Sequence, residues 1–162
     1  MRVLLLTPLH ESSEHIAMNL MTKCWHTVLA EEQGYDALSV PNYADYLLQT
    51  GIAPNFEASI FMALREIIDW AEVRSNCIVI GNAPKKVPFD IILGVNINHE
   101  EGVPLVDLQV EKLKELYGDD PDLGPLINDL YSVDDAEYHA GGSIDQIVEL
   151  VVNLCQAKKA SS

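Results

Sequence analysis

Short apolar runs alternate along this chain with longer segments whose apolar residues recur every three or four positions, an order that predicts strands interleaved with helices. The run from Arg2 to Thr7, built on Val3 to Leu6 and stopped by Pro8, suits a strand covered on both faces of a sheet. Ser12 and Ser13 then offer an N-cap, and Ala17, Leu20, Met21, Cys24 and Val28 keep helical spacing until Gly34. Tyr35 to Val40 returns to a β-type run that stops at Pro41, completing a strand–helix–strand unit with the right-handed parallel crossover such units adopt.

Between Asn42 and Asn55 the pattern predicts a short helix and a turn. From Phe56 to Val73, Ile60, Ala63, Leu64, Ile67, Ile68 and Ala71 form the stripe of an amphipathic helix laid on a core. Cys77 to Ile80 reads as a buried strand closed by Gly81-Asn82-Ala83-Pro84, and Phe89 to Val95 is a further apolar run. The link between these two is too short for a crossover helix, which favours an antiparallel pair or one segment that is not a strand. Leu105 to Tyr117 is helix-compatible and ends at Gly118-Asp119-Asp120-Pro121, with a short helix expected near Pro125 to Leu130. A last helix should open at Gly141-Gly142-Ser143 and bury Ile144, Ile147, Val148, Val151 and Leu154. The polar tail over 156–162 is expected to fray.

These elements predict one α/β domain over 1–162: a three-layer sandwich with a four- or five-stranded, mostly parallel sheet, of flavodoxin-like or Rossmann-like type. A length of 162 residues with 48% hydrophobic content fits one domain with a full-sized core. Charge narrows the partners: 10 basic against 25 acidic residues leave a net of −15, which disfavours a nucleic-acid backbone or an anionic membrane. Glu100 to Ala140 carries 12 of the acids against Lys112 and Lys114, so a basic protein partner is one reading of this segment and a solvated face is another. No apolar run reaches the length of a membrane span or a signal h-region, which predicts a cytoplasmic protein made without export. Cys24, Cys77 and Cys155 are odd in number and widely spaced, which argues against a disulfide scaffold or zinc knuckle; all three read as core filler. Trp25 and Trp70 sit on predicted helices, where packing on the sheet is the plain reading and an exposed ring would mark a homodimer face.

Ligands of open parallel sheets bind beyond the carboxyl ends of the strands, so the residues that follow each strand are the ones to inspect. There stand His10, Glu11, Glu14 and His15, then Asn96, Asn98, His99, Glu100 and Glu101, and, in the loop before the last helix, Asp134, Asp135, Glu137 and His139. Imidazoles from three such loops, His10, His99 and His139, could hold a divalent ion such as zinc or manganese and activate a water. Without a metal, Glu14 or Glu101 could work with His99 or His139 as acid and base. The spacing of His10 and His15 does not match the i, i+4 pair of helix-borne metal sites, and solvated surface residues are the competing reading. Phosphate-cradling glycine loops are missing after the first strand, so no dinucleotide motif is present.

Thr7-Pro8-Leu9, Gly34-Tyr35-Asp36 and Val40-Pro41 together resemble the opening of nucleoside 2-deoxyribosyltransferase-like proteins. The resemblance covers the first quarter of the chain and implies a nucleoside- or nucleotide-processing enzyme. Asn98-His99-Glu100-Glu101-Gly102 departs from that family's later glycine-rich segment, so no catalytic residue is carried over. From the residues themselves the leading expectation is a small hydrolase, metal-assisted in one form, acting on a small-molecule substrate. A non-catalytic ligand-binding or protein-interaction domain is the alternative.

Overall fold

A computed structural model of the chain describes residues 2–7, 9, 34–96 and 105–140, with helical backbone at 149, 152, 153, 156 and 157. Its centre is a five-stranded, all-parallel sheet of β1 (Arg2–Leu6), β2 (Asp36–Ser39), β3 (Cys77–Gly81), β4 (Ile91–Asn96) and β5 (Glu137–Ala140), in the order β2-β3-β1-β4-β5. The α/β class with a parallel sheet is as the sequence predicts. The strand order is neither the flavodoxin-like 2-1-3-4-5 nor the Rossmann arrangement, in which the second strand lies beside the first.

Four helices among the described residues fill the connections: α1 (Val40–Gln49), α2 (Phe56–Glu72), α3 (Leu105–Tyr117) and α4 (Gly124–Ile127). Pro41 does not end the second strand in a loop, as its position suggested. It occupies the first turn of α1, where its missing N–H is harmless and its fixed φ suits the helix. Ser39, the last residue of β2, caps that helix by accepting from Asn42 N at 3.4 Å. Asn55 caps α2 in the same way, accepting from Ala58 N at 2.9 Å, and the predicted stripe of Ile60, Ala63, Leu64, Ile67 and Ala71 is buried.

Register explains the core. Leu38, Val79, Leu4 and Ile92 stand abreast across four strands, and α1 to α4 pack against this face through Ala44, Leu64, Val110 and Ile127. On the other face Val3, Leu5, Ile78, Ile80 and Leu93 are buried as well, so the three central strands are covered on both sides, the usual condition of a parallel sheet.

The expected antiparallel pairing of the third and fourth strands is overturned. Both run parallel to β1, one on each side of it. The nine residues of 82–90 make the crossover without a helix. An extended chain of that length reaches about 30 Å, whereas returning along a five-residue strand and shifting two places needs roughly 17 and 10 Å. Its polar backbone is satisfied by the segment after α4. Lys85 N donates to Asp129 O, Tyr131 N to Ala83 O, and Pro84 bridges Leu130. Tyr131 adds its hydroxyl, donating to Val87 O at 2.7 Å.

The fifth strand corrects a second expectation, since the sequence predicts a loop at Glu137 and His139. A four-residue edge strand reading Glu-Tyr-His-Ala has too little apolar content to show as a β-run. The first long helix expected after Ser12 and the opening of the last helix at Gly141 lie outside the described residues, as do Trp25, Cys24 and Cys155. Trp70 is half-buried against the core, with the Arg74 guanidinium 4.4 Å from its ring centroid, so the packing reading of this tryptophan holds.

Candidate functional site

The strand order fixes where a site of the kind expected from the sequence would lie. After β1 the chain goes to the edge strand β2, and after β4 it goes to the opposite edge strand β5. The switch point is therefore the crevice beyond the carboxyl ends of β1 and β4.

The described rim of this crevice is neutral and hydrogen-bonded. Thr7, directly after β1, is fully buried and its N–H donates to Gly81 O at 2.8 Å. Asn82, directly after β3, is also fully buried. Its Oδ1 accepts from Ala83 N at 2.7 Å and its Nδ2 donates to Tyr131 O at 2.9 Å. This side chain holds the start of the crossover to the segment after α4. Gly81 has φ +124, and a Cβ there would lie 2.9 Å from the Val40 Cβ, so a side chain is excluded where β3 meets the start of α1.

Gln109 joins the two sides of the crevice. It projects from α3, which follows β4, and its Oε1 accepts from the N–H of Leu9, which follows β1, at 2.7 Å. The side chain is buried, yet its Nε2 has no hydrogen-bond partner among the described residues. A buried amide donor left without an acceptor costs about 1–3 kcal/mol.

Of the site residues expected from sequence, His10, Glu14, His99 and Glu101 lie outside the described residues. His139 is described by its backbone alone, as the third residue of β5 opposite Val95 of β4. No group of three His, Cys, Asp or Glu able to hold a metal occurs among the described residues, a set that includes no histidine side chain. Sequence reasoning passed over Asn82 and Gln109. Both left a signal: Asn82 immediately follows a fully apolar strand, and Gln109 sits on the buried stripe of Val106 and Val110 at helical spacing.

The acidic segment divides into structural roles. Asp107 Oδ1 accepts from Val133 N at 3.0 Å, and Asp129 Oδ2 accepts from Lys86 N at 3.3 Å. Asp120 Oδ1 takes the N–H groups of Asp122 and Leu123, and the Leu123 and Asp122 bonds hold its carboxyl below the usual range. Asp135 Oδ2 accepts both the N–H and the hydroxyl of Ser132 and lies 3.6 Å from Lys85 Nζ. Asp120 and Asp135 thus cap local turns, while Asp107 and Asp129 tie segments distant in sequence.

Cys77 is buried at the amino end of β3, beside Ala71 and Val87. Burial pushes its thiol pKa up, against the opposing pull of Arg2 and Arg74, so it lacks the thiolate character of a nucleophile. It is core filler, as expected. Among the described residues no helix is long and apolar enough to cross a membrane.

No protein-family model matches the chain, and neither a curated protein nor a solved structure is significantly similar to it. The resemblance of the opening residues to nucleoside 2-deoxyribosyltransferase-like proteins therefore gains no support from these comparisons.

Proposed function

We propose that this protein is a small hydrolase whose reaction centre lies beyond the carboxyl ends of β1, β4 and β5. The observation that supports this reading is topological. Those three strands are immediate, parallel neighbours, and each leads into one of the expected histidines: His10 follows β1 by four residues, His99 follows β4 by three, and His139 is in β5 itself. Neighbouring strands are about 4.8 Å apart, so the three exits span roughly 10 Å, a width that imidazole ligands from three segments can close around one ion. The reading also takes the sheet as the middle of three layers, as the burial of both its faces supports.

In the metal-assisted form, His10, His99 and His139 hold a zinc or manganese ion that lowers the pKa of a bound water and polarises the substrate. In the metal-free form, His99 works with Glu101 or Glu14 as acid and base on a water. Apart from His139 within β5, both forms draw their ionisable groups from the segments after β1 and β4, since the described rim of Thr7, Asn82 and Gln109 is neutral and supplies hydrogen bonds only.

Elemental analysis of protein purified without a histidine tag, alongside His99→Ala, tests the metal-assisted form. Near-stoichiometric transition metal, lost in the variant, is the expected result and directs a screen of ester, amide and phosphoester substrates. Absence of bound metal, with no stabilisation on adding zinc or manganese, removes the metal. Turnover in that same screen, abolished by Glu101→Gln, would then carry the metal-free form. Absence of turnover as well overturns the hydrolase reading.

A further inference from the structure

At the amino-terminal edge of the sheet, a strand's length from that crevice, a cavity of about 410 Å³ opens between the end of α2 and the crossover from β3 to β4. Its volume falls in the range of small-molecule pockets, roughly 300–1,000 Å³. Ile68, Val87 and Pro88 supply apolar lining, and Arg2, Lys86 and Glu72 supply the charges.

These charges are not equivalent. Arg2 is held in place, with Nε donating to Ala71 O at 3.1 Å and Nη2 to Glu72 O at 3.4 Å, so the guanidinium closes the carboxyl end of α2 and forms one wall. Its main-chain N–H donates to Asp90 Oδ2 at 2.8 Å, a carboxylate beside the lining and not part of it. Lys86 is exposed, and its ammonium forms no ion pair among the described residues. With two cations against the Glu72 carboxylate, the lining carries a net charge of +1 within a chain whose net charge is −15.

We propose that this cavity binds a small monoanion with an apolar body, such as a medium-chain carboxylate, its charge against Lys86 and Arg2 and its hydrocarbon against Ile68, Val87 and Pro88. A single positive excess matches one negative charge. A polyanion such as a nucleoside triphosphate would meet Glu72 and the acidic surface of the whole chain. A neutral apolar molecule would leave the Lys86 charge at the mouth without a counter-ion. The site is separate from the proposed reaction centre, so either stands without the other.

Fluorescence titration of the full chain with 8-anilinonaphthalene-1-sulfonate, followed by displacement with octanoate and with octanol, tests this. One saturable site is expected, from which octanoate displaces the probe about tenfold more effectively than octanol, the equivalent of one compensated charge. Lys86→Glu should weaken probe binding by about tenfold or more, and Lys86→Met by less. Lys112→Glu makes the same change in net charge from the exposed face of α3 and should leave binding unaltered. Absence of a saturable site, equal displacement by octanol, or equal loss in Lys86→Glu and Lys112→Glu would each overturn the proposal.

Discussion

The N–H of Leu9 donates to the side-chain oxygen of Gln109 at 2.7 Å, tying the residues that follow β1 to a helix 100 positions later in the chain. Both groups are buried, so the bond stands in for water on a main-chain donor. Its energetics are divided, because the Nε2 of the same amide has no acceptor among the described residues. Gln109→Leu orphans the Leu9 N–H and at the same time removes the orphaned Nε2. The expected net cost is therefore about 1 kcal/mol, at the low end for a broken buried hydrogen bond. Urea unfolding measures it. A loss well above that would show that Nε2 has an acceptor in solution.

Gly81 and Gly51 make a second comparison. Both have positive φ, +124 and +76, but a Cβ at Gly51 meets nothing within 4 Å, whereas one at Gly81 strikes the Val40 Cβ. Gly51→Ala should cost the left-handed backbone penalty alone, about 1–2 kcal/mol. Gly81→Ala adds displacement of α1 from the end of β3 and should cost more. Equal unfolding midpoints for the two variants would show that α1 yields to the added methyl group.

Where the sequence was readable, the reason was periodicity. The stripe of α2 and the runs of β1 and β3 are unbroken apolar signals, and each is found within a residue or two of its predicted bounds. What periodicity could not show was pairing. The direction of β4 depends on whether nine residues can recross the sheet, and they do so with their backbone bonded to Asp129 and Tyr131 of a distant segment and to Asn82 within the link itself. β5 was missed because an edge strand has one neighbour and needs little apolar content. For the candidate site, the rule that ligands bind beyond strand carboxyl ends selects His10, His99 and His139, of which only the backbone of His139 lies among the described residues. That β1, β4 and β5 are neighbours is a relationship no local pattern contains. Gln109 looked like one more polar helix residue because its partner is remote in sequence.

Cys77 should be chemically silent in the folded protein. Its thiol is fully buried and burial raises its pKa, so thiolate is scarce at neutral pH as well as shielded. Timed alkylation with iodoacetamide, read by mass spectrometry on the peptide that contains Cys77, should show labelling only under conditions that unfold the chain. Rapid labelling of the native protein would show that the amino edge between α2 and the crossover opens.

Asp135 gives the clearest pH dependence. Burial alone would raise its pKa, but the Ser132 N–H, the Lys85 ammonium and the Ser132 hydroxyl together outweigh that and hold it below the ordinary carboxylate value. The folded-state pKa is lower than the unfolded one, so the ionised carboxylate stabilises the fold at pH values above about 3.9, the unfolded reference. That stabilisation disappears as the pH falls through the lower, folded value. Asp135→Asn keeps the shape and removes the charge, and at pH 7 it should cost about 1 kcal/mol, the usual worth of a helix-capping side chain. The Lys85 pair contributes little of this, since both side chains are partly exposed. The gap between wild type and variant in urea unfolding should narrow on acidification below pH 4 and be unchanged between pH 6 and 8. A gap that persists in acid would assign the stabilisation to side-chain packing and not to the charge.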